Sequence, residues 1–218
     1  MTMNISTRRV LVRAAWGAVV GLASGPLGTV AWAHSLQEHA VQTKVPAQAS
    51  TAVSSGYTRN VKDYALPDVV LTDADNKPVR LRELLASNEP VMVNFIFTTC
   101  STVCPVMAKV FSEVPGALGA GAQRLRMVSI SIDPENDTPL QLKAYAKSMH
   151  AWPRWKFLTG TVQDIEAVQR AFDTYHADKM AHEPLTLLRP WPSARWTRLE
   201  GFLSAPQLAQ EYRQALAQ

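Results

Sequence analysis

Cysteine is scarce in this chain: only two of its 218 residues are cysteines, Cys100 and Cys104, and both lie in one short stretch. A bridge between them would therefore not join distant segments of the fold. The sequence also contains no phosphate-binding loop, no zinc-protease helix motif and no Ser-His-Asp signature. These absences exclude the hydrolase and nucleotide-binding classes that such motifs identify.

Basic runs are also absent after the N-terminal segment. Residues 1–33 carry Arg8, Arg9 and Arg13 and no acidic residue, so the formal net charge falls from +4 for the whole chain to +1 for the remainder. A domain so close to neutral has little electrostatic attraction for a phosphate backbone. The charge distribution therefore predicts no nucleic-acid partner.

The N-terminal residues 1–33 have the pattern of an export signal. Arg8 and Arg9 precede a mildly apolar segment rich in glycine, and 31–33 reads Ala-Trp-Ala, a small-x-small cleavage site. The paired arginines resemble a twin-arginine signal. The alternative is an uncleaved anchor, because about 20 apolar residues are enough to span a bilayer. Both interpretations predict an exported, periplasmic protein whose membrane contact is confined to this segment.

The rest of the chain divides into a leader and one domain. Residues 34–60 are rich in Ala, Ser, Thr and Gln without apolar periodicity, which predicts a flexible leader. Its His34 and His39 are either solvated or adventitious metal ligands. Residues 61–218 alternate strand-like and helix-like segments and finish with a strand pair and an amphipathic helix. This order predicts an α/β domain, a mixed sheet flanked by helices, and suits a thioredoxin-like fold.

Cys100 and Cys104 lie between the buried strand-like run VMVNFIF and a helix predicted to begin near Pro105. A helix N-terminus favours the thiolate form, and Lys109 adds a weaker attraction. Two sulfurs held this close predict either a redox pair or a site for a soft metal ion. A structural bridge is disfavoured, because a loop of about five residues adds only about 2 kcal/mol. Two inert buried thiols are the remaining alternative.

Two segments of the domain together resemble the Sco/SenC family of exported copper-binding proteins with a thioredoxin-like fold: FIFTTCSTVCPVM and VSISIDPENDTPLQLKAYAK. The similarity extends from Tyr64 to Gln218. It implies that Cu(I) or Cu(II) is held by the sulfurs of Cys100 and Cys104 and by one distal histidine. It also implies copper delivery to the CuA centre of cytochrome c oxidase, or reduction of the cysteines of that centre.

The resemblance implies that the histidine ligand lies in the loop before the last strand pair, which is KMAHEPLTLLRP in this chain. The candidate is therefore His182, whereas His150 and His176 are interpreted as residues near helix ends. We expect a monomer that hands copper to an oxidase subunit or a similar copper protein. The rival hypothesis is a thiol-disulfide reductase in which Cys100 and Cys104 form the redox pair. Copper coordination needs His182, whereas thiol exchange does not.

Several alternatives stay open at this point. Zinc also accepts sulfur and nitrogen ligands. Asp133 and Asp137 are interpreted as turn and helix-capping residues rather than an acid–base pair, and either Asp137 or Thr138 is the predicted cap of the helix that follows. A thiol peroxidase is disfavoured because no arginine lies near the cysteine turn. Trp191 and Trp196 are either a partner-facing patch or packed side chains. Four methionines are either thioether ligands or core residues: Met107, Met127, Met149 and Met180.

Overall fold

The structure, a computed structural model, describes residues 56–217. The predicted export signal (1–33) and most of the predicted leader lie outside these residues. Among the described residues, no helix is both long and apolar enough to cross a membrane.

Eight strands form one sheet in the order β1-β8-β7-β4-β5-β6-β2-β3. Their bounds are β1 Tyr57–Lys62, β2 Val70–Asp73, β3 Pro78–Arg80, β4 Val91–Ile96, β5 Arg126–Ser131, β6 Trp155–Thr159, β7 Leu185–Arg189 and β8 Trp196–Gly201. Strands β4, β5 and β6 are parallel to each other, and every other pairing is antiparallel. The sheet is therefore mixed, as the alternation of segments predicts.

Strand β4 lies in the middle of this sheet, and all six of its residues are buried. A continuous run of apolar and β-branched residues suits such a position, because both faces of the strand are covered by other elements. The chain leaves β4 at the carboxyl edge of the parallel strands, where loops gather side chains from different parts of an α/β fold. The cysteine pair follows directly.

Five α-helices cover the sheet: α1 Leu81–Leu85, α2 Val103–Leu118, α3 Pro139–Ser148, α4 Val162–Ala171 and α5 Ala205–Leu216. Two short 3₁₀ segments, Gly119–Arg124 and Lys179–Ala181, complete the helical structure of the described residues. Helix α3 begins with a capping box between Thr138 and Gln141, and α5 with the same arrangement between Ser204 and Gln207. Each box satisfies backbone N–H groups that the first helical turn leaves unpaired.

Aromatic side chains fill the core on both faces of the sheet. On one face, Phe111 of α2 contacts Trp155, which stacks with Phe157 of the same strand. On the other face, Phe172 contacts Phe95 and Trp196. Large rings that interlock in this way supply much of the apolar area that a domain of this size buries. The core thus fixes β4 and the start of α2 relative to the rest of the sheet.

Strand β1 begins at Tyr57, four residues before the domain start that the sequence predicted at residue 61. It is an edge strand paired antiparallel with β8, and most of its side chains are exposed. The Tyr57 hydroxyl donates to Glu211 of α5 (2.7 Å), and Arg59 forms an ion pair with the same carboxylate (2.9 Å). Residues 57–60 therefore belong to the folded domain and not to the leader.

Candidate metal centre

The cysteine pair lies in a turn that β4 and α2 define. Helix α2 starts at Val103, two residues before the start predicted from Pro105, so Cys104 lies in its first turn and Cys100 precedes it. The N–H of Cys104 donates to the Cys100 sulfur over 3.4 Å. Both cysteines are free thiols and both are buried, with exposures of 8% for Cys100 and 1% for Cys104. The turn itself, rather than one face of a helix, brings the sulfurs together.

The two thiols have different acidities. Burial opposes ionisation of Cys100, but N–H groups of Cys104 and Thr102, with the Cys104 thiol and the Thr102 hydroxyl, outweigh it and lower the pKa of Cys100 to about 7. Burial raises the pKa of Cys104 to about 12, and the nearby Cys100 and Asp137 charges act in the same direction. Cys100 is therefore the first of the pair to become a thiolate. Lys109 contributes little to this difference, because its ammonium pairs with Glu113 over 2.9 Å.

Asp137 holds the backbone that leads to Cys100. Its carboxylate accepts the Thr98 N–H (3.1 Å to each oxygen), the Thr98 hydroxyl and the Ser131 hydroxyl (2.6 Å). Of the two caps that the sequence allows for α3, Asp137 and Thr138, the structure has Thr138, so Asp137 is free for a different role. The Thr98 contact spans 39 positions, which no local pattern reveals. Only the sheet order brings residue 137 to the end of β4.

Asp133 has the predicted turn role and a further contact. Its carbonyl accepts the N–H groups of Asn136 and Asp137, which closes the turn after β5. Its carboxylate accepts from the Asn136 side chain and forms an ion pair of 2.6 Å with Lys179. Lys179 thus ties the segment before His182 to the end of β5. Neither aspartate is placed as half of an acid–base pair.

His182 follows the 3₁₀ segment Lys179–Ala181 and is buried, with 8% of its surface exposed. Its Nε2 lies 3.1 Å from the Phe95 carbonyl oxygen. A carbonyl only accepts hydrogen bonds, so Nε2 carries the proton and Nδ1 keeps its lone pair. Nδ1 is buried without a hydrogen-bond partner. Burial lowers the pKa of His182, although the Phe95 carbonyl opposes this effect, and the imidazole is neutral near pH 7.

This environment suits a metal-ligating histidine. Such residues usually donate one ring N–H to a carbonyl or carboxylate, which fixes the tautomer and directs the other nitrogen to the metal. The strand register brings the loop to the same region, because Thr186 of β7 pairs with Asn94 of β4 in antiparallel order. The chain before Thr186 therefore runs beside the chain that leaves β4 toward Cys100.

The three predicted ligands are not gathered into one cluster. In residues 56–217, no three His, Cys, Asp or Glu side chains lie close enough together to hold a metal ion. The structure thus brings Cys100 and Cys104 together and places His182 beside the end of β4. The donor set nevertheless fits copper: two thiols in one turn and one neutral imidazole with a free lone pair.

The remaining candidates lie elsewhere or outside the described part of the chain. His150 lies two residues after the end of α3 in a left-handed conformation, and His176 follows α4. His34 and His39 precede residue 56 and lie outside the described residues. Among residues 56–217, neither of the other two histidines is therefore buried with an unpartnered ring nitrogen as His182 is.

The four methionines divide between core and surface. Met107 and Met127 are buried, and Met149 packs against the core as the sequence favoured. Met180 is the exception, because 62% of its surface is exposed and it lies two residues before His182. The two tryptophans also differ: Trp196 is buried against Phe172, whereas Trp191 is partly exposed beyond the far end of β7.

Three comparisons place the chain among known proteins. The sequence model of the SCO1/SenC family matches residues 60–187. The SCO1 protein homolog of Bacillus subtilis (strain 168) is 36% identical over 109 residues, which are 48% of this chain and 55% of the relative. The chain spans about half the length of the curated relatives it matches first.

Solved structures show the same fold. BsSco, described as a member of the Sco family of cytochrome c oxidase assembly proteins, superimposes with a TM-score of 0.61 at 26% identity, over 73% of this chain and 98% of BsSco. Bradyrhizobium japonicum ScoI, solved with copper bound, gives a TM-score of 0.55 at 26% identity, over 71% of this chain and 98% of that chain. The thioredoxin-like α/β fold predicted from the sequence is confirmed. Because the family match covers more than half of its residues, the chain belongs to the SCO1/SenC family.

Proposed function

We propose that this protein is an extracytoplasmic copper chaperone that binds one copper ion through Cys100, Cys104 and His182. The observation that carries the proposal is the chemistry of the three donors. Two free thiols meet at the start of α2, and a buried neutral imidazole with an unpartnered Nδ1 lies beside the strand that leads to them. Soft Cu(I) favours the thiolates, and Cu(II) gains from the added nitrogen.

The acidity of the two thiols gives an order of binding. Cys100 is partly ionised at pH 7 and makes the first bond to copper, and Cys104 loses its proton as the second bond forms. His182 then contributes Nδ1, which requires its segment to approach the sulfurs more closely than it does here. A site that forms by successive ligands also releases its ion by successive ligand exchange with an acceptor.

The acceptor in this proposal is the CuA centre of cytochrome c oxidase or a similar copper protein. Its support is the family itself, because the related BsSco is described as a member of a family of oxidase assembly proteins. Export to the periplasm is part of the same proposal and rests on residues 1–33, which resemble a signal that is either cleaved or kept as an anchor.

A second candidate function is reduction of a disulfide in the copper-accepting protein. It is favoured by the unequal acidity of the cysteines. The Cys100 thiolate would attack one sulfur of the target disulfide and expel the other as a thiolate. Cys104, after losing its proton, would attack Cys100 and release the second target thiol, which leaves a Cys100–Cys104 disulfide. His182 has no role in this exchange.

Native mass spectrometry of the Cu(I)-loaded protein separates the two functions. The wild type is expected to bind one copper, Cys100→Ser none, and His182→Ala one copper that a chelator removes more easily. His150→Ala is the matched control, because this exposed histidine is outside the proposed site. Undiminished one-to-one binding in Cys100→Ser would refute the copper site. A wild type that binds no copper but reduces a protein disulfide would establish the reductase instead.

A further inference from the structure

Asp137 carries a buried charge that has no cationic partner. Its side chain is fully buried (0% exposed), and its oxygens are contacted by Thr98 and Ser131. None of the ion pairs formed by residues 56–217 includes Asp137, whereas nearby Asp133 is paired with Lys179. Buried charges are normally paired or close to a metal ion, because removal from water is costly. The negative charge of an unpaired carboxylate is therefore not offset by a neighbouring cation.

The charge of Asp137 acts on the cysteine turn. Thr98 lies two residues before Cys100, and both its N–H and its hydroxyl donate hydrogen bonds to the Asp137 carboxylate. The carbonyl of the adjacent Phe97 accepts the Cys100 N–H over 3.2 Å. One carboxylate thus positions the backbone that leads into the cysteine turn. Two residues span at most about 7 Å of backbone, so the carboxylate that is bonded to Thr98 lies within electrostatic range of the turn at Cys100.

The two copper oxidation states give the proposed site different charges. Two thiolates and a neutral imidazole around Cu(II) sum to zero, whereas the same ligands around Cu(I) sum to −1. A fixed negative charge nearby raises the energy of the second state more than that of the first. Reduction adds one electron to the copper and leaves the same ligands bound. The negative charge therefore shifts the Cu(II)/Cu(I) equilibrium toward Cu(II).

We propose that Asp137 positions the cysteine turn through Thr98 and that its buried charge favours Cu(II) over Cu(I) on Cys100, Cys104 and His182. This inference rests on the proposed copper site and concerns the balance between the two oxidation states of copper in it. Asp137 is a positioning residue and not a ligand, because its contacts are to Thr98 and Ser131.

The charge is tested by a redox titration of the copper-loaded protein. The electron donor is a set of small-molecule redox mediators, and Cu(II) is followed by electron paramagnetic resonance. In Asp137→Asn, the ratio of Cu(I) to Cu(II) at a fixed potential is expected to rise about tenfold, as for removal of one charge at short range in a protein interior. Glu135→Gln removes the same charge from an exposed position two residues away, where solvent screens it, and is expected to change the ratio by less than about twofold. Equal ratios in wild type and Asp137→Asn would overturn the inference.

The positioning role is tested without copper. The Thr98 amide is expected to exchange slowly with solvent in the wild type and in Glu135→Gln, and at least about tenfold faster in Asp137→Ala, because both oxygens that accept its N–H are lost. Unchanged exchange would overturn the positioning role. If Asp137→Asn does not fold, Asp137→Ser, which also removes the charge, replaces it in the redox titration, and if Asp137→Ala does not fold, Asp137→Gly replaces it in the exchange experiment. A wild type that binds no copper refutes the proposed function, whereas the Thr98 result still decides the positioning role.

Discussion

Cys100 and Cys104 differ in their electrostatic surroundings although they are four residues apart. Backbone N–H groups converge on Cys100, whereas Cys104 is more deeply buried and lies in the range of two negative groups. The same contrast serves both candidate functions, because a first thiolate is needed to capture copper and to attack a disulfide. Its consequences are measurable in the metal-free protein.

We predict that Cys100 is alkylated before Cys104. The reaction rate of Cys100 with iodoacetamide should rise as the pH increases through about 7, since the thiolate is the reactive form. Near pH 7.5, Cys100 should react at least about 100-fold faster than Cys104, whose pKa is raised. Peptide mass spectrometry after timed labelling measures both rates. Equal rates, or a Cys104 that reacts first, would contradict the assigned acidities.

We also predict the state of the His182 ring. Because burial lowers its pKa, His182 should remain neutral as the pH falls below the usual histidine range, and should charge only at lower pH than an exposed histidine. Nitrogen-15 spectra of the imidazole should show the proton on Nε2, which the Phe95 carbonyl requires. The exposed His150 serves as the reference in the same spectra. A ring protonated on Nδ1 would remove the free ligand on which the copper site depends.

At the level of secondary structure, α3 carries the residues that hold the cysteine turn in place. Its cap, Thr138, follows Asp137 directly, so the start of the helix also sets the position of the Asp137 carboxylate. Tyr145, farther along α3, contacts the Cys104 carbonyl over 3.5 Å. The helix thus supports the turn from both of its halves.

We expect Thr138→Ala to destabilise the protein by about 1 kcal/mol, because it removes the side-chain half of the capping box. Urea unfolding followed by circular dichroism measures this change. Ser148→Ala is the control at the other end of α3, where the exposed hydroxyl only bonds the Tyr145 carbonyl, and its effect should stay below about 0.5 kcal/mol. An equal effect of the two substitutions would show that the cap is not a stabilising contact.

Strand β1 depends on one glycine of its partner strand. Gly201 has φ of 113°, and a Cβ at this position would lie 2.6 Å from the Gly56 carbonyl oxygen and 2.9 Å from the Tyr57 Cα. Gly201→Ala is therefore predicted to separate β1 from β8 and to cost at least about 2 kcal/mol. Gly121→Ala, where a Cβ meets nothing within 4 Å, is the matched control. Hydrogen exchange at residues 57–62 reports the separation, and protection retained in Gly201→Ala would contradict it.

For the molecule as a whole, the sequence was informative where patterns are local. The apolar run of β4, the cap of α3 and the final strand pair were all predictable from residues close in the chain. Strand β1 was not, because its exposed polar residues resemble a linker and its partner lies more than 130 positions away. The role of Asp137 could not be predicted for the same reason, since its contact with Thr98 exists only after β4 and β5 are paired.

In the candidate site, too, local sequence predicts one part and tertiary contacts determine the other. The cysteine turn could be predicted because both sulfurs belong to one short segment. His182 could be named only through the family resemblance, and the free Nδ1 that suits it to a metal depends on the tertiary contact with Phe95.

The central claim is that two sulfurs and one imidazole nitrogen hold the same copper ion. X-ray absorption at the copper edge tests it most directly. The account predicts two sulfur neighbours and one nitrogen neighbour in the loaded wild type, with the nitrogen lost in His182→Ala and retained in His150→Ala. A wild-type spectrum that His182→Ala leaves unchanged would contradict the account.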